Sequence, residues 1–101
     1  MKFAVQIQSY NRYDKLTSLL NQIREQDAEC PIIVVNDCSF DKRYNTLEKE
    51  YNALTVIKTP SNGGKEKYWR TVNMGLKRTM KKQWDWLIFL ADDFTISPDF
   101  F

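Results

Sequence analysis

Four consecutive β-branched residues, Ile32-Ile33-Val34-Val35, constrain this chain more than anything else in it. An apolar run that does not alternate with polar residues is the pattern of a strand buried on both faces, as found in the middle of a parallel sheet with helices packed on either side. The rest of the chain supplies the other parts of such a fold. Phe3 to Ser9 sets Phe3, Val5 and Ile7 against Ala4, Gln6 and Gln8, a strand with one face more buried than the other. Leu16, Leu19, Leu20 and Ile23 then fall at helical spacing between Asn11 and Gln26. After the central run, Tyr44, Leu47 and Tyr51 recur at helical intervals, and Leu54 to Lys58 reads as a third short strand. Ser61-Asn62-Gly63-Gly64 reads as a turn, Trp69, Val72, Leu76 and Met80 mark one face of a third helix, and Trp86 to Leu90 makes a fourth strand.

The order β-α-β-α-β-α-β, with crossovers long enough for helices, predicts an α/β fold: a Rossmann-like parallel sheet with right-handed connections and helices on both faces. With 101 residues, 43% of them hydrophobic, the chain fits a single domain with a packed core. The sequence contains no internal repeat, low-complexity segment or interdomain linker. Trp69 and Trp86 are expected in the core. No apolar run reaches the length of a membrane span, and Met1-Lys2-Phe3-Ala4-Val5 runs straight into polar residues, so a cytoplasmic location is expected.

Composition narrows the chemistry. Histidine is absent, which removes every Ser-His-Asp and Cys-His arrangement. Cys30 and Cys38 flank the central strand, and at about 3.3 Å per residue their Cα atoms stand more than ~20 Å apart, well beyond the ~7 Å reach of a disulfide. The net charge of +2 names no partner. From Lys65 to Lys82 there are seven Lys or Arg against one Glu. Lys77, Arg78, Lys81 and Lys82 read as a solvated helix face, so no nucleic acid is expected as partner, whereas Lys65, Lys67 and Arg70 sit near the helix start, beside the ligand edge described next.

In open α/β sheets ligands bind outside the carboxyl ends of the strands. The segments that follow strands one, two and four are Ser9-Tyr10-Asn11-Arg12, Asn36-Asp37-Cys38-Ser39-Phe40-Asp41 and Ala91-Asp92-Asp93-Phe94. Two adjacent carboxylates at the end of a buried strand suit a hard divalent cation. Mg2+ in particular is usually held by one or two carboxylates, with waters and substrate phosphates completing its shell. A nucleoside diphosphate needs a flat surface for its base, a partner for the base edge and a cation for its phosphates. Tyr10 can stack, Asp37 can accept from a base N–H, and Asp93 can hold a metal. Each also has a structural reading: Tyr10 as a packing aromatic at a helix entrance, Asn11 as an N-cap, Asp37 and Asp41 as turn or capping residues, and Asp92 and Asp93 as a solvated turn. Clustered acids on a parallel sheet also occur in phosphoacceptor receiver domains, but there the pair follows the first strand rather than the fourth.

Over nearly its whole length the chain resembles the nucleotide-binding half of GT-A fold glycosyltransferases, in particular the inverting family 2. Ile7-Gln8-Ser9-Tyr10-Asn11-Arg12 resembles the family's Pro-Thr-Tyr-Asn-Arg segment, with Gln8 where proline is usual. Val34-Val35-Asn36-Asp37-Cys38-Ser39-Phe40-Asp41 is similar to Val-Val-Asp-Asp-Gly-Ser-Thr-Asp, with Asn36 and Cys38 as departures. Asn62-Gly63-Gly64, Arg70 and Asn73-Met74-Gly75 are similar to its Asn-x-Gly and Arg-Asn-x-Gly elements. Leu90-Ala91-Asp92-Asp93, followed by Pro98-Asp99-Phe100, resembles its metal motif, with Ala91 in the place of the first acid and Asp93 in that of the metal ligand.

The resemblance implies a nucleotide-sugar donor, a UDP-sugar above all, bound through Mn2+ or Mg2+. The candidate nucleotide-binding residues are Ser9, Tyr10, Asn11, Arg12, Asp37, Lys65, Arg70 and Asp92, and the candidate metal ligand is Asp93. In the family the acceptor site and the general base follow the metal motif. Residues 1–101 are therefore expected to form one donor-binding domain without a catalytic base, the acceptor being a glycan or other hydroxyl compound. An apolar sheet edge left open in such a domain would be covered by a further segment or by a second copy. The alternative from another class is a non-catalytic Rossmann-like nucleotide-binding or interaction module.

Overall fold

The computed structural model describes residues 3–60, 68–79 and 84–97. Four strands form one sheet: β1 (Phe3–Ser9), β2 (Ile32–Asn36), β3 (Leu54–Lys58) and β4 (Trp86–Ala91). Their order is β3-β2-β1-β4, and every pairing is parallel. After β1 the chain steps outward to β2 and β3, then crosses to the far side of β1 for β4. The chain thus changes direction across β1, and in open α/β sheets ligands bind at such a switch, outside the carboxyl ends of the strands, here those of β1 and β4.

Register explains which residues meet. Val5 stands opposite Ile32 and Ile88, and Ile7 opposite Val34 and Leu90. These side chains share one face of the sheet with Leu16, Leu19, Leu20 and Ile23 of helix α1 (Tyr13–Gln26), and with Tyr44 and Leu47. All four α1 residues are fully buried, each contributing roughly 1.5–3 kcal/mol of hydrophobic stabilisation. The α1 C-terminus is tied down by Arg24, whose guanidinium donates to the carbonyls of Asp27 and Cys30 at 3.4 and 2.8 Å and to that of Asn52.

The opposite face carries Ala4, Ile33 and Val35, packed with Ile57, Trp84 and Leu87. Helix α3 (Tyr68–Thr79) covers it. Here the structure departs from the alternation expected of β1, because Gln6 is as buried as its apolar neighbours. Its amide Nε2 donates to the Val72 carbonyl at 3.1 Å. Room for that amide comes from Gly75, where a Cβ would lie 2.3 Å from Gln6 Nε2. The polar side of β1 is thus a helix-docking face rather than a wet one.

Two further expectations are corrected. The segment bearing Tyr44, Leu47 and Tyr51 is not one helix but a 3-10 turn (Lys42–Thr46) running into a four-residue helix α2 (Leu47–Glu50). Trp69 and Trp86 lie outside the core, 73% and 61% exposed. α3 rests on the sheet at Val72 and Gly75, one turn after Trp69. Trp86 belongs to β4, which has a strand on one flank only among the described residues. On the other margin of the sheet, Glu48 of α2 accepts the outward N–H of Val56 in β3 at 2.7 Å. Both cysteines are free thiols, as their separation requires.

Candidate functional site

The carboxyl ends of β1 and β4 are joined by a short hydrogen-bonded chain. Ser9, the last residue of β1, donates its hydroxyl to Asp92 Oδ2 at 2.9 Å. Since a hydroxyl has one proton, Ser9 Oγ must accept from the Tyr44 hydroxyl 2.6 Å away. The Tyr44 oxygen accepts in turn from the Arg12 backbone N–H at 3.0 Å. One direction of donation satisfies the whole chain, from Arg12 N–H through Tyr44 and Ser9 to Asp92. All three side chains are buried. Asp92 is therefore a fixed carboxylate rather than a solvated turn residue.

Asp93 is its solvent-facing neighbour. The side chains of Asp92 and Asp93 are 7% and 44% exposed, and the guanidinium Nη1 of Arg12 reaches both, at 3.4 Å to Asp92 and 3.3 Å to Asp93. Two carboxylates thus face one cation. Their oxygens are hard donors of the kind Mg2+ and Mn2+ prefer. Among the described residues no three His, Cys, Asp or Glu side chains gather into a metal cluster. A donor set of two carboxylates still fits a cation that takes its remaining ligands from water and phosphate.

The loop after β2 is sewn to the loop after β1. Asn11 does not cap α1: its backbone is left-handed (φ 50°), its Oδ1 accepts from the backbone N–H of Phe40 and Asp41 at 2.7 and 3.3 Å, and its own N–H donates to Ser39 Oγ at 2.9 Å. Arg12 takes the N-cap position, with no side-chain cap bond. Asparagine suits this role because it tolerates the left-handed region. Tyr10 packs edge-on against Phe40, ring centroids 6.4 Å apart, and remains partly exposed. Cys38 also sits in the left-handed region (φ 57°), at the position where the family segment has glycine, the residue that adopts it without a Cβ penalty.

Asp37 is buried at the end of β2. Its N–H donates to the Ser9 carbonyl at 2.9 Å, and its Oδ1 accepts from Thr59 Oγ1 at 2.9 Å. Asp41 takes the structural role: it caps the 3-10 turn by accepting the Arg43 N–H at 3.0 Å and is gripped by the Arg43 guanidinium, Nη2 to Oδ2 at 2.6 Å. The side-chain hydrogen bonds from Arg43 hold its carboxyl below the ordinary carboxylate range.

Ser9, Arg12, Asp92 and Asp93 are therefore in direct contact, while Tyr10, Asn11 and Asp37 border them at the same sheet edge. Arg70 is half-buried on α3. Lys65 and the Asn62-Gly63-Gly64 turn lie outside the described residues, as do Lys67, Met80 and Pro98 to Phe101. Two supporting residues escaped the sequence reading. Tyr44 counted only as an apolar helical position, although a buried phenol needs a partner for its O–H. Thr59 carried no signal beyond its place after a strand.

The family model of glycosyl transferase family 2 matches residues 4–101. This chain belongs to glycosyl transferase family 2. Its four-stranded parallel sheet with helices on both faces is the Rossmann-like half of the GT-A fold. It is similar to the poly(ribitol-phosphate) beta-N-acetylglucosaminyltransferase TarS of Staphylococcus aureus strains Mu50 and MW2, 32% identical over an alignment of 107 residues. That alignment covers 98% of this chain and 17% of the relative, so the chain spans about a sixth of the length of the curated relatives it matches. The crystal structure of S. aureus TarS 1-349 in complex with UDP superposes with a TM-score of 0.73 at 31% identity, over 92% of this chain and 28% of that one. The same protein in complex with UDP-GlcNAc gives 0.71 at 32% identity, over 92% and 27%. A mannosyltransferase of Pyrobaculum calidifontis, solved with GDP-Man and Mn2+, gives 0.68 at 20% identity, over 91% and 27%. At that identity the likeness concerns the fold.

Proposed function

We propose that this chain is the donor-binding part of a glycosyltransferase, gripping a UDP-sugar at the carboxyl edge of β1, β2 and β4. The observation that carries the reading is the buried Ser9–Asp92 hydrogen bond at the topological switch, with Asp93 turned outward beside it. Tyr10 offers its ring to the base, and Asp37, held by Thr59, accepts from a base N–H. The relative solved with UDP and with UDP-GlcNAc supports uracil as that base.

Asp93 is the residue that would hold Mn2+ or Mg2+, beside Asp92, which Ser9 and Tyr44 hold in place from behind. A divalent cation held by Asp93 would supply positive charge against the departing diphosphate. Lys65 and Arg70 supply further positive charge for the diphosphate. Fixed carboxylates and cations of this kind favour the transition state because they need no reorganisation as charge develops. Deprotonating the acceptor hydroxyl, the other half of an inverting transfer, is assigned to residues beyond this domain.

Calorimetric titration with UDP in the presence of Mn2+ tests the proposal. Saturable binding is expected, weakened at least tenfold by Asp93→Ala. Absence of binding by the unmodified protein, or equal binding by Asp93→Ala, would refute the donor site.

A further inference from the structure

Arg12, a candidate nucleotide-binding residue by the family resemblance, makes contacts in the structure with the two carboxylates instead. Its guanidinium bridges Asp92 and Asp93 through a single nitrogen, at 3.4 and 3.3 Å. Both contacts lie beyond the usual 2.7–3.2 Å range of N–H···O hydrogen bonds and lack the paired geometry of an arginine-carboxylate fork. The Arg12 side chain is 53% exposed, while the Asp92 it touches is 7% exposed. The Asp92 carboxylate is thus held by the scaffold through Ser9, Asp93 stands beside it facing solvent, and the cation is loosely attached. Its backbone is anchored independently, through the N–H to Tyr44 and through the carbonyl that accepts from Leu16 at 2.9 Å in the first turn of α1. The side chain can therefore leave without disturbing the helix start.

We infer that Arg12 is a resident counter-cation of the Asp92/Asp93 pair, occupying the position of the divalent metal and leaving when the metal binds. The inference rests on the reading of Asp93 as a metal ligand. Two adjacent carboxylates, one of them buried, repel each other unless a positive charge lies nearby. Arg12 supplies that charge before metal arrives and must be displaced to make room for it. Metal affinity in the absence of nucleotide is lowered accordingly, because a ligand that competes with an internal partner gains only the difference between the two interactions.

The test is titration of the intact protein with Mn2+ alone, followed by calorimetry and by the electron paramagnetic resonance signal of free Mn2+. Arg12→Gln, which removes the charge, is expected to bind Mn2+ about tenfold more tightly than the unmodified protein. It is also expected to melt at a lower temperature without metal and to recover on adding it. In the unmodified protein the NMR resonance of the Arg12 Nε–H is expected to shift on addition of diamagnetic Mg2+, and to stay in place in Asp93→Asn. This second measurement holds even if Arg12→Gln fails to fold. Equal or weaker Mn2+ binding by folded Arg12→Gln, with Asp93→Asn abolishing binding, overturns the counter-cation role and leaves the metal site standing. Mn2+ binding by neither protein, or undiminished binding by Asp93→Asn, overturns both.

Discussion

The Tyr44 hydroxyl holds the ends of two strands and a helix start in one arrangement. It accepts from Arg12 and donates to Ser9, which donates to Asp92. Tyr44→Phe keeps the ring in place against Tyr13, 5.7 Å between centroids, but deletes the oxygen. The Arg12 N–H then loses its acceptor and Ser9 Oγ its donor, and leaving such groups unpaired costs about 1–3 kcal/mol. Urea unfolding should show that loss as a lower midpoint with an unchanged slope. UDP binding with Mn2+ should weaken in the same variant, since Asp92 is no longer held from behind. A variant as stable as the original would mean that solvent replaces the phenol without penalty.

Helix α3 meets the sheet closely where Gly75 lies against Gln6. In an isolated helix Gly→Ala gains about 1 kcal/mol. In α3 the new methyl would lie 2.3 Å from Gln6 Nε2 and 2.4 Å from Cδ. Gln6 is fully buried and hydrogen-bonded to Val72, so it has little freedom to retreat. Gly75→Ala is therefore expected to destabilise by roughly 1–3 kcal/mol, an overpacking cost that outweighs the propensity gain. The double variant with Gln6→Ala should recover part of that loss, a coupling that a double-mutant cycle in denaturant measures. This contact also marks the limit of what the sequence reveals. The strands and helices of β1, α1, β2, β3 and β4 are legible because burial on one or both faces leaves a period of two, a helical period or an unbroken apolar run. The sequence marks the Gln6 face of β1 as the less buried one, because polarity alone does not disclose how tightly the helix on that face packs. Tyr44 and Leu47 show the periodicity of a helix, but the segment splits, with Asp41 and Arg43 fixing its first part as a 3-10 turn. At the site, the three loops and their acids are legible from strand ends, whereas the partners that hold Asp92 and Asp37, namely Tyr44 and Thr59, depend on distant packing. Asn11 reads equally well as a cap, and only the approach of the β2 loop assigns it to Phe40 and Asp41.

At the level of the whole molecule, the two thiols report on different depths. Cys30 lies in the main core, and burial, reinforced by the charge of Asp27, pushes its thiol up to about 11. At pH 8 the reactive thiolate is then on the order of one molecule in a thousand. Cys38 is half-buried in the loop after β2. Iodoacetamide at pH 8 should modify Cys38 within minutes and Cys30 only as the domain unfolds, with peptide mass spectrometry following each site. Rapid modification of both would show that the core opens locally. The sheet margins are likewise unequal. On one side Glu48 occupies a backbone donor of β3 and α2 lies alongside; on the other, no further strand lies beside β4 among the described residues, and Trp86 and Phe89 are exposed. Were two molecules to join edge to edge through β4, the margins left outward would be those of β3, where Glu48 already takes the Val56 N–H, so growth would stop at a closed pair instead of running on into a filament.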